Sequence, residues 1–480
     1  MRFLHLYSGL ALLTACYFFW FNSAFPATRP ETGIVFSEWI WIVQLGLPVL
    51  LVVLILKWRG MSMQWLWVLA GIYVLWYIPL VMRQATFDVD RQDWFWLLSI
   101  PFVIIIIQGL VGGRLWSHTV LDFPMITLIV LCVISTQIAP FEDRGIKMIM
   151  RPLFGVLLAI YLGELGRYGF DLMLKIILVF CLFMGIMALS ATQWTEKSAD
   201  FRFIIDRLNF LPSGAPFFVR HSINPNEIGG ALAWLIPLTA GLVFYRPWGW
   251  VWRGLSIGGT LMLCAALIMG QSRSAILGVL IALVLVALIV IPGRWRVMAL
   301  GSVGGLLLIQ LIITFNLFSG ESGITARDEA ATSQRMAYWQ AGLQMLQDYP
   351  LTGVGMNNYR ALVFDGQPYD SDVFGLVPHA HNEFLQIATD LGIPGLMTFL
   401  GLYFAAAYLV WKCWRLGGGG VAIAAFAGLL AHAIYGLTDA IPVWDRLGFI
   451  FWGMLGVIVA QYSVLKSAIS NTSKGLCIED

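Results

Sequence analysis

Two of the chain's six histidines, His379 and His381, stand two positions apart in the stretch VPHAHNEFLQIATDLGIPGL, directly before an apolar segment. On an extended or loop backbone this spacing lets both side chains face the same way, which a helix would prevent. A neutral imidazole accepts a proton near neutral pH, because the unperturbed pKa of histidine is about 6.5. The pair is therefore a candidate general base. The two histidines could also bind a metal as a pair, but no third ligand at a recognisable spacing is nearby in the sequence.

Two arginines stand where a phosphate group could bind. Arg220 precedes NPNEIGGALA, in which Asn224 is the expected N-cap of a helix with Pro225 at its first position. Arg273 lies in IMGQSRSAILG, a tight polar connection between two apolar runs. A guanidinium holds phosphate oxygens with two parallel hydrogen bonds, and a helix N-terminus attracts the same anion. The alternatives are an interfacial arginine beside a well-capped helix and an arginine paired with a carboxylate or a lipid headgroup.

Two acidic features could also take part. Asp439, in YGLTDAIPVWD, could orient a histidine or an arginine, or simply cap a helix. Asp370 and Asp372, in YDSD, have the D-x-D spacing of many metal-dependent glycosyltransferases. Asp and Ser are also ordinary turn residues, and a solvated turn is the favoured interpretation of YDSD.

The elements that position these residues are membrane helices. The chain has 480 residues, of which 59% are hydrophobic and 12% charged, far from the composition of a soluble domain. Apolar runs long enough to cross a hydrocarbon layer of roughly 30 Å recur throughout. We therefore predict an all-α polytopic transmembrane bundle of about 12–14 helices. The predicted segments are 4–22, 36–56, 62–82, 94–112, 118–139, 147–165, 172–193, 227–245, 254–270, 274–292, 297–316, 391–411, 420–437 and 447–465.

Charge placement predicts the topology. Every second short connection is basic, which places both termini in the cytoplasm, and the net charge of +2 gives no reason to expect nucleic acid as a partner. The two long connections then lie on the outer side. The resulting regions are residues 1–193 with N-terminal transmembrane helices, 194–316 with helices and the outer-face arginines, 317–390 as a large periplasmic loop, and 391–480 with C-terminal helices and a cytoplasmic tail.

The large loop contains one amphipathic segment, TSQRMAYWQAGLQMLQDYP. Its apolar residues at helical spacing predict a helix that lies on the membrane or on the bundle. The expected apolar stripe consists of Met336, Trp339, Leu343 and Leu346.

Several of these stretches resemble one family, the bacterial O-antigen ligases and the related lipid-linked glycan polymerases. HNEFLQIATDLGIPG fits a ligase signature of His-Asn, nine residues and Gly-x-x-Gly, from His381 to Gly395. NPNEIGGALA, QSRSAILG and RMAYWQAGLQMLQDYPLTGVGMNNY are similar to shared blocks of the family, in the expected order. The resemblance covers roughly residues 217 to 400.

The resemblance implies a GT-C-like fold and a metal-independent, inverting glycosyltransferase without a cofactor. Such an enzyme works at the outer face of the bacterial inner membrane, moving a glycan from undecaprenyl pyrophosphate to a glycolipid or glycan acceptor. His381 matches the base that deprotonates the acceptor hydroxyl, and Arg220 and Arg273 match arginines that hold the pyrophosphate. Arg335 opens the loop helix at a family-typical place and is a further candidate for the pyrophosphate. The supporting residues are Asn224, Asn226, His379, Asn382 and Asp439.

Three functions remain open at this stage. A ligase uses a lipid A-core sugar as acceptor, whereas a polymerase uses the next lipid-linked repeat, and the histidine signature favours the ligase. A solute transporter is the alternative outside the enzymes. Carriers generally place ionisable groups near the bilayer midplane, whereas the singular residues here lie at helix ends and in long loops.

Overall fold

The computed structural model describes residues 118–192, 224–290, 326–363, 379–445 and 447–476, with a few single positions between them. Arg220, Asp370 and Asp372 lie outside the described residues. So do the predicted segments 4–22, 36–56, 62–82 and 94–112, and nearly all of 297–316.

The described residues form helices joined by turns, without a strand. In chain order these helices are α1 (Asp122–Ile138), α2 (Glu142–Ala191), α3 (Pro225–Leu242), α4 (Trp250–Gly270), α5 (Arg273–Val290), α6 (Ala326–Asp348), α7 (Tyr359–Leu362), α8 (Glu383–Arg415), α9 (Gly420–Tyr435) and α10 (Phe449–Leu476).

Helix α2 consists of two antiparallel halves. Its backbone leaves helical geometry at Gly169. Gly155 lies directly against the ring of Trp452 in α10, and Phe180, twenty-five residues further on, has its ring centroid 5.7 Å from that of Phe449. Two distant parts of α2 thus reach the same level of α10, so the chain reverses near Gly169. The prediction of separate segments at 147–165 and 172–193 is confirmed.

Helices α1, α3, α4, α5, α9 and α10 overlap six further predicted segments, although α10 continues to Leu476, past the predicted end at 465. Four helical stretches are long and apolar enough to cross a membrane, namely Gly169–Leu189, Trp250–Gly270, Glu383–Arg415 and Phe449–Ile469. The protein is therefore an all-α polytopic membrane protein.

The start of α8 differs from the prediction. The helix begins at Glu383, eight residues before the expected start at 391, and is broken at Gly392, where φ is +72°. This left-handed backbone favours glycine. A Cβ at Gly392 would also lie 2.5 Å from the carbonyl carbon of Leu351, so the site tolerates no side chain. Because Gly-x-x-Gly and Pro394 mark a break within a helix, the polar stretch before it is helical and not a loop.

The amphipathic helix α6 forms as predicted, but the predicted apolar stripe is not the face that is buried against the bundle. Met336 and Leu343 are 48% and 50% exposed. The buried face is instead formed by Tyr338, Ala341 and Met345. The reason is close helix packing, because Gly342 approaches Leu385 of α8 so tightly that a Cβ there would lie 3.0 Å from the leucine side chain. The close approach at Gly342 therefore selects the docking face of α6.

Glycines also bring α3, α5 and α9 into close contact. Gly428 of α9 lies against the carbonyl of Trp234 in α3, and Gly278 of α5 lies against the carbonyl of Ala431 in α9. Small residues of this kind let membrane helices approach backbone to backbone. The tight contacts fix the ends of these three helices relative to one another, and the candidate site lies at one of those ends.

Candidate active site

His379 and His381 meet in the loop before α8. Their ring centroids are 4.5 Å apart, and the backbone N–H of His381 donates a hydrogen bond to Nδ1 of His379 at 3.2 Å. The backbone of His381 is left-handed, with φ +49°. Such a conformation is uncommon for a residue with a side chain and persists only where surrounding contacts hold it. One such contact is the indole N–H of Trp339, which lies 3.4 Å from the His381 carbonyl oxygen.

Asp439, in the segment that follows α9, lies beside both histidines. Its Oδ1 lies 3.2 Å from Nδ1 of His381 and 3.6 Å from Nε2 of His379. Burial alone would raise the pKa of Asp439, but the hydrogen bond with His381 and the charges of both histidines outweigh burial and leave the pKa below its usual value. The carboxylate is therefore ionised near neutral pH.

One ring nitrogen of His379 accepts a hydrogen bond, and the other is turned toward a carboxylate. Its Nδ1 accepts the N–H of His381, so its proton must sit on Nε2, which faces Asp439. Burial lowers the pKa of His379 to about 4. The charge of Asp439 raises this pKa and that of His381 lowers it, each by less than burial does. The imidazole of His379 is therefore neutral at pH 7, with Nδ1 bonded to the loop backbone and Nε2 turned toward Asp439 at 3.6 Å.

His381 has one ring nitrogen to spare. When its Nδ1–H donates to Asp439, the lone pair lies on Nε2. Within the described part of the chain, Nε2 has no hydrogen-bond partner, and the side chain is 25% exposed. The ring of Tyr338 lies nearly parallel to the imidazole, at 21° and a centroid distance of 5.6 Å. This arrangement can take a proton from a bound hydroxyl.

Asn382 fixes the start of α8 to the segment that carries Asp439. Its side-chain oxygen accepts the N–H of Leu385 at 3.0 Å, and its amide donates to the carbonyl of Leu437 at 3.1 Å. The N–H of Glu383 also donates to the carbonyl of Gly436 at 2.7 Å. These bonds set the distance between His381 and Asp439. Sequence reasoning missed this role, although Asn before an acidic first turn is an N-cap signal.

Two helix N-termini lie at the same end of the bundle as Asp439. Asn224 caps α3, as predicted, by accepting the N–H of Asn226 at 2.8 Å. Gly229, in the second turn of α3, packs on Ser272, which immediately precedes α5. The next residue in α3, Gly230, packs against residues on either side of Asp439. Those residues are Tyr435 and Ile441.

Two of the three predicted phosphate-binding arginines are described. Arg273 is exposed at the N-terminus of α5. Arg335 is partly buried in α6, one turn before Tyr338 and Trp339, which both contact His381. Residues three and four apart share a helix face, so α6 presents Arg335 beside the contacts to His381. Arg220 lies outside the described residues.

The three residues His379, His381 and Asp439 are also the set with metal-ligand chemistry that the described residues bring together, with ligand atoms within 4.8 Å of one another. A third ligand 58 positions from His381 could not be found from spacing. A neutral imidazole that binds metal through Nε2 carries its proton on Nδ1. In His379 that proton would face the backbone N–H of His381, so two donors would oppose each other. The hydrogen bonds therefore favour proton transfer over metal binding.

The sequence from 257 to 400 matches the family model described as O-antigen ligase. Residues 257–400 are therefore similar to the domain that this family model describes. The matched segment includes Arg273, Arg335 and both site histidines, while Asp439 follows it. No curated protein sequence matches the chain. The O-antigen ligase domain and the apolar helices together indicate a multi-pass membrane enzyme of glycosyl transfer, with lipid-linked glycan and acceptor as its substrate classes.

Proposed function

We propose that the protein is an inverting, metal-independent O-antigen ligase that transfers a glycan from undecaprenyl pyrophosphate to an acceptor sugar. The observation that carries the proposal is the unequal use of the two imidazoles. His381 holds Asp439 with Nδ1 and keeps Nε2 available, whereas Nδ1 of His379 accepts a backbone N–H and its Nε2 is turned toward Asp439 at 3.6 Å. A sugar hydroxyl is a weak nucleophile until a base removes its proton, and a positioned base contributes about 10²–10⁴-fold.

In the proposed reaction, Nε2 of His381 takes the proton of the acceptor hydroxyl. The electron pair left on the acceptor oxygen forms a bond to the anomeric carbon of the donor. The bond from that carbon to the diphosphate oxygen breaks, and its electrons leave with the diphosphate. Attack from the face opposite to the leaving group inverts the anomeric centre. Asp439, ionised and hydrogen-bonded at Nδ1, stabilises the imidazolium that forms.

The departing diphosphate requires positive charge. Arg273 and Arg335, with Arg220, supply guanidinium groups, and the N-termini of α3 and α5 add the positive ends of two helix dipoles. These groups provide fixed electrostatic stabilisation of the leaving group without recourse to a metal ion. Asn224 and Asn226 support the first of these helix starts.

The distribution of basic residues supports an active site that faces the periplasm. Helices α3 and α8 begin at the site end, so their opposite ends lie at the other membrane face. Lys412 at that end of α8 stands 5.4 Å from the ring centre of Tyr408 and 5.5 Å from that of Trp411. Lysines and arginines prefer the cytoplasmic face of bacterial membrane proteins, and aromatic residues line membrane interfaces. The proposed location is the bacterial inner membrane, with the histidines on its outer side.

Reconstitution with two acceptors tests the proposal. Purified protein in liposomes receives undecaprenyl-linked glycan with either lipid A-core or excess lipid-linked repeat, in the presence of EDTA. We expect glycan on the lipid A-core. A ladder on the lipid carrier would identify a polymerase, and solute flux without transfer would identify a transporter. Activity that EDTA abolishes and Mn²⁺ or Mg²⁺ restores would overturn the metal-independent mechanism and make Asp370 and Asp372 the better candidates.

A further inference from the structure

We propose that Gln386 and Asp390 are positioning residues that hold the loop of His381 in its reactive conformation. The proposal rests on the proposed function, in which His381 is the base. Both residues belong to α8, one turn apart on the same helix face. Both fall among the nine positions that the His-Asn to Gly-x-x-Gly signature leaves unspecified.

The first contact holds the loop between the two histidines. The side-chain oxygen of Gln386 accepts the backbone N–H of Ala380 at 2.7 Å, and Ala380 is completely buried. The next residue, His381, has the left-handed backbone described above. Such a conformation persists only where its surroundings over-determine it. The bond from Ala380 to Gln386 lies directly before this residue and helps to fix the direction in which its imidazole points.

The second contact fixes the orientation of the Gln386 amide. Its Nε2 donates to Oδ2 of Asp390 at 2.9 Å. An amide has one accepting and one donating end, and a reversed amide would turn its NH₂ group toward the N–H of Ala380. Because Oδ2 of Asp390 accepts a hydrogen bond, it holds the NH₂ group on its own side and leaves the oxygen facing Ala380. Asp390 thus acts on the histidine loop through Gln386.

Asp390 is itself anchored to two other parts of the fold. Its Oδ2 accepts the N–H of Asn357 at 3.2 Å. Its backbone carbonyl accepts the hydroxyl of Ser135 in α1 at 2.7 Å and the N–H of Gly355 at 3.2 Å. A continuous series of hydrogen bonds therefore leads from α1 and the turn before α7 to the loop of His381.

Gln386→Met is the principal test, because methionine has a similar size and makes neither hydrogen bond. A displacement of about 1 Å at a reacting group can cost about 10²-fold, and the loop keeps its other anchors, so we expect kcat to fall at least about tenfold. The KM for the lipid-linked donor should stay unchanged, because donor binding does not depend on the base. If Gln386→Met does not fold, Gln386→Asn serves instead, since its shorter polar side chain cannot span both partners.

A matched control exists at the opposite end of the bundle. Gln461 in α10 accepts the backbone N–H of Ala422 at 2.7 Å, the same type of bond at the same length. Gln461→Met should therefore leave kcat within about twofold of wild type. An equal loss of kcat in Gln461→Met would mean that Gln386 has only a structural role.

A double-mutant cycle decides whether Gln386 acts through His381. In a His381→Ala background, adding Gln386→Met should cause no further loss of kcat, because the group that Gln386 positions is absent. Fully additive losses, or wild-type kcat in Gln386→Met alone, would overturn the positioning role. Wild-type transfer by His381→Ala would instead overturn the proposed base and, with it, the positioning role. Failure of the positioning role alone therefore shows in the Gln386 variants, whereas failure of the proposed base shows in His381→Ala.

Discussion

Two histidine–carboxylate pairs lie close together in this protein, and they differ in how many ring nitrogens are occupied. His432 and Glu383 are 2.7 Å apart, with the histidine side chain 0% and the glutamate side chain 2% exposed. His381 and Asp439 are 3.2 Å apart, with the histidine side chain 25% exposed. Both pairs place an imidazole beside a carboxylate, so the carboxylate alone does not distinguish a structural histidine from a reactive one.

The buried pair uses both nitrogens of its imidazole. Nδ1 of His432 lies 2.9 Å from the carbonyl of Gly230, which can only accept, so Nδ1 carries a proton. The bond between Nε2 and Glu383 then needs a second proton, held by either partner, and the pair is neutral as a whole. The ring also stacks on Trp234 at 3.5 Å. No nitrogen of His432 remains for a substrate.

The two pairs connect the same two segments crosswise. His381 and Glu383 stand at the start of α8, whereas His432 and Asp439 stand at the end of α9 and directly after it. Each segment supplies one histidine and one carboxylate. The His432–Glu383 pair clamps the segments together, and the partly exposed His381–Asp439 pair inherits its geometry from that clamp. A free ring nitrogen, and not the presence of a partner carboxylate, therefore separates the proposed base His381 from the structural histidine His432.

Removing the buried carboxylate is expected to have the largest effect. Glu383→Ala leaves the imidazole of His432 buried without its partner, and breaking a buried pair in this way costs about 3–5 kcal/mol. We expect a large loss in the free energy of unfolding, measured by denaturation in detergent. Glu383→Gln is the control, because its amide can donate to Nε2 and should cost only about 1 kcal/mol. Equal stability of Glu383→Ala and wild type would remove the structural half of the comparison.

Removing the partly exposed histidine, His381, should affect chemistry and not folding. His381→Ala is expected to lower transfer at least about 10²-fold, the lower end for loss of a general base. Expression and donor binding should stay near wild type, and raising the donor concentration should not restore the rate, because the missing step is proton removal. Initial rates across donor concentrations measure this. Recovery at high donor concentration would show that His381 binds the donor instead.

Neutralising Asp439 should have a smaller effect. Its Oδ1 accepts a hydrogen bond from Nδ1–H of His381 and another from the N–H of Ala440, the latter at 3.0 Å. Because an asparagine oxygen can accept the same bonds, Asp439→Asn loses only the charge. We expect about a tenfold lower kcat, equivalent to about 1.4 kcal/mol of transition-state stabilisation. Asp445→Asn is the matched control, since that carboxylate accepts the N–H of Leu447 and should be nearly silent. Equal losses in both variants would mean that Asp439 does not act on His381.

Local patterns were sufficient to predict part of this arrangement. Asn224 before Pro225 was predicted as an N-cap, and the structure confirms it. Apolar length predicted the paired helices within α2. His379 and His381 were expected to face the same way, because two-residue spacing on a loop allows it, and their rings are in contact. These features depend on neighbours in sequence, for which spacing is a good guide.

Tertiary contacts could not be predicted in the same way. The early start of α8 was missed because Gly392 and Pro394 indicate the end of a loop as readily as a break within a helix. The buried face of α6 depends on how closely Gly342 approaches α8. His432 was not singled out, since a lone histidine in an apolar run carries no sign of a carboxylate 49 positions away. Each miss involves residues that meet only after the helices pack.

His379 provides the smallest and most discriminating test. Its Nδ1 accepts a backbone N–H and its protonated Nε2 faces Asp439, so His379 offers no lone pair to a hydroxyl, and His379→Ala should lower transfer only a few-fold, through the lost support for the backbone of His381. Burial lowers its pKa in the folded protein below the value of about 6.5 in the unfolded chain. As the pH falls through about 6.5 toward the lowered folded value, the unfolded chain binds more protons, and the free energy of unfolding therefore decreases. Thermal unfolding at about pH 7 and about pH 5 should show a larger loss for wild type than for His379→Ala. Equal losses would mean that burial of His379 does not govern acid sensitivity. An inactive His379→Ala beside an active His381→Ala would reverse the assignment of the base.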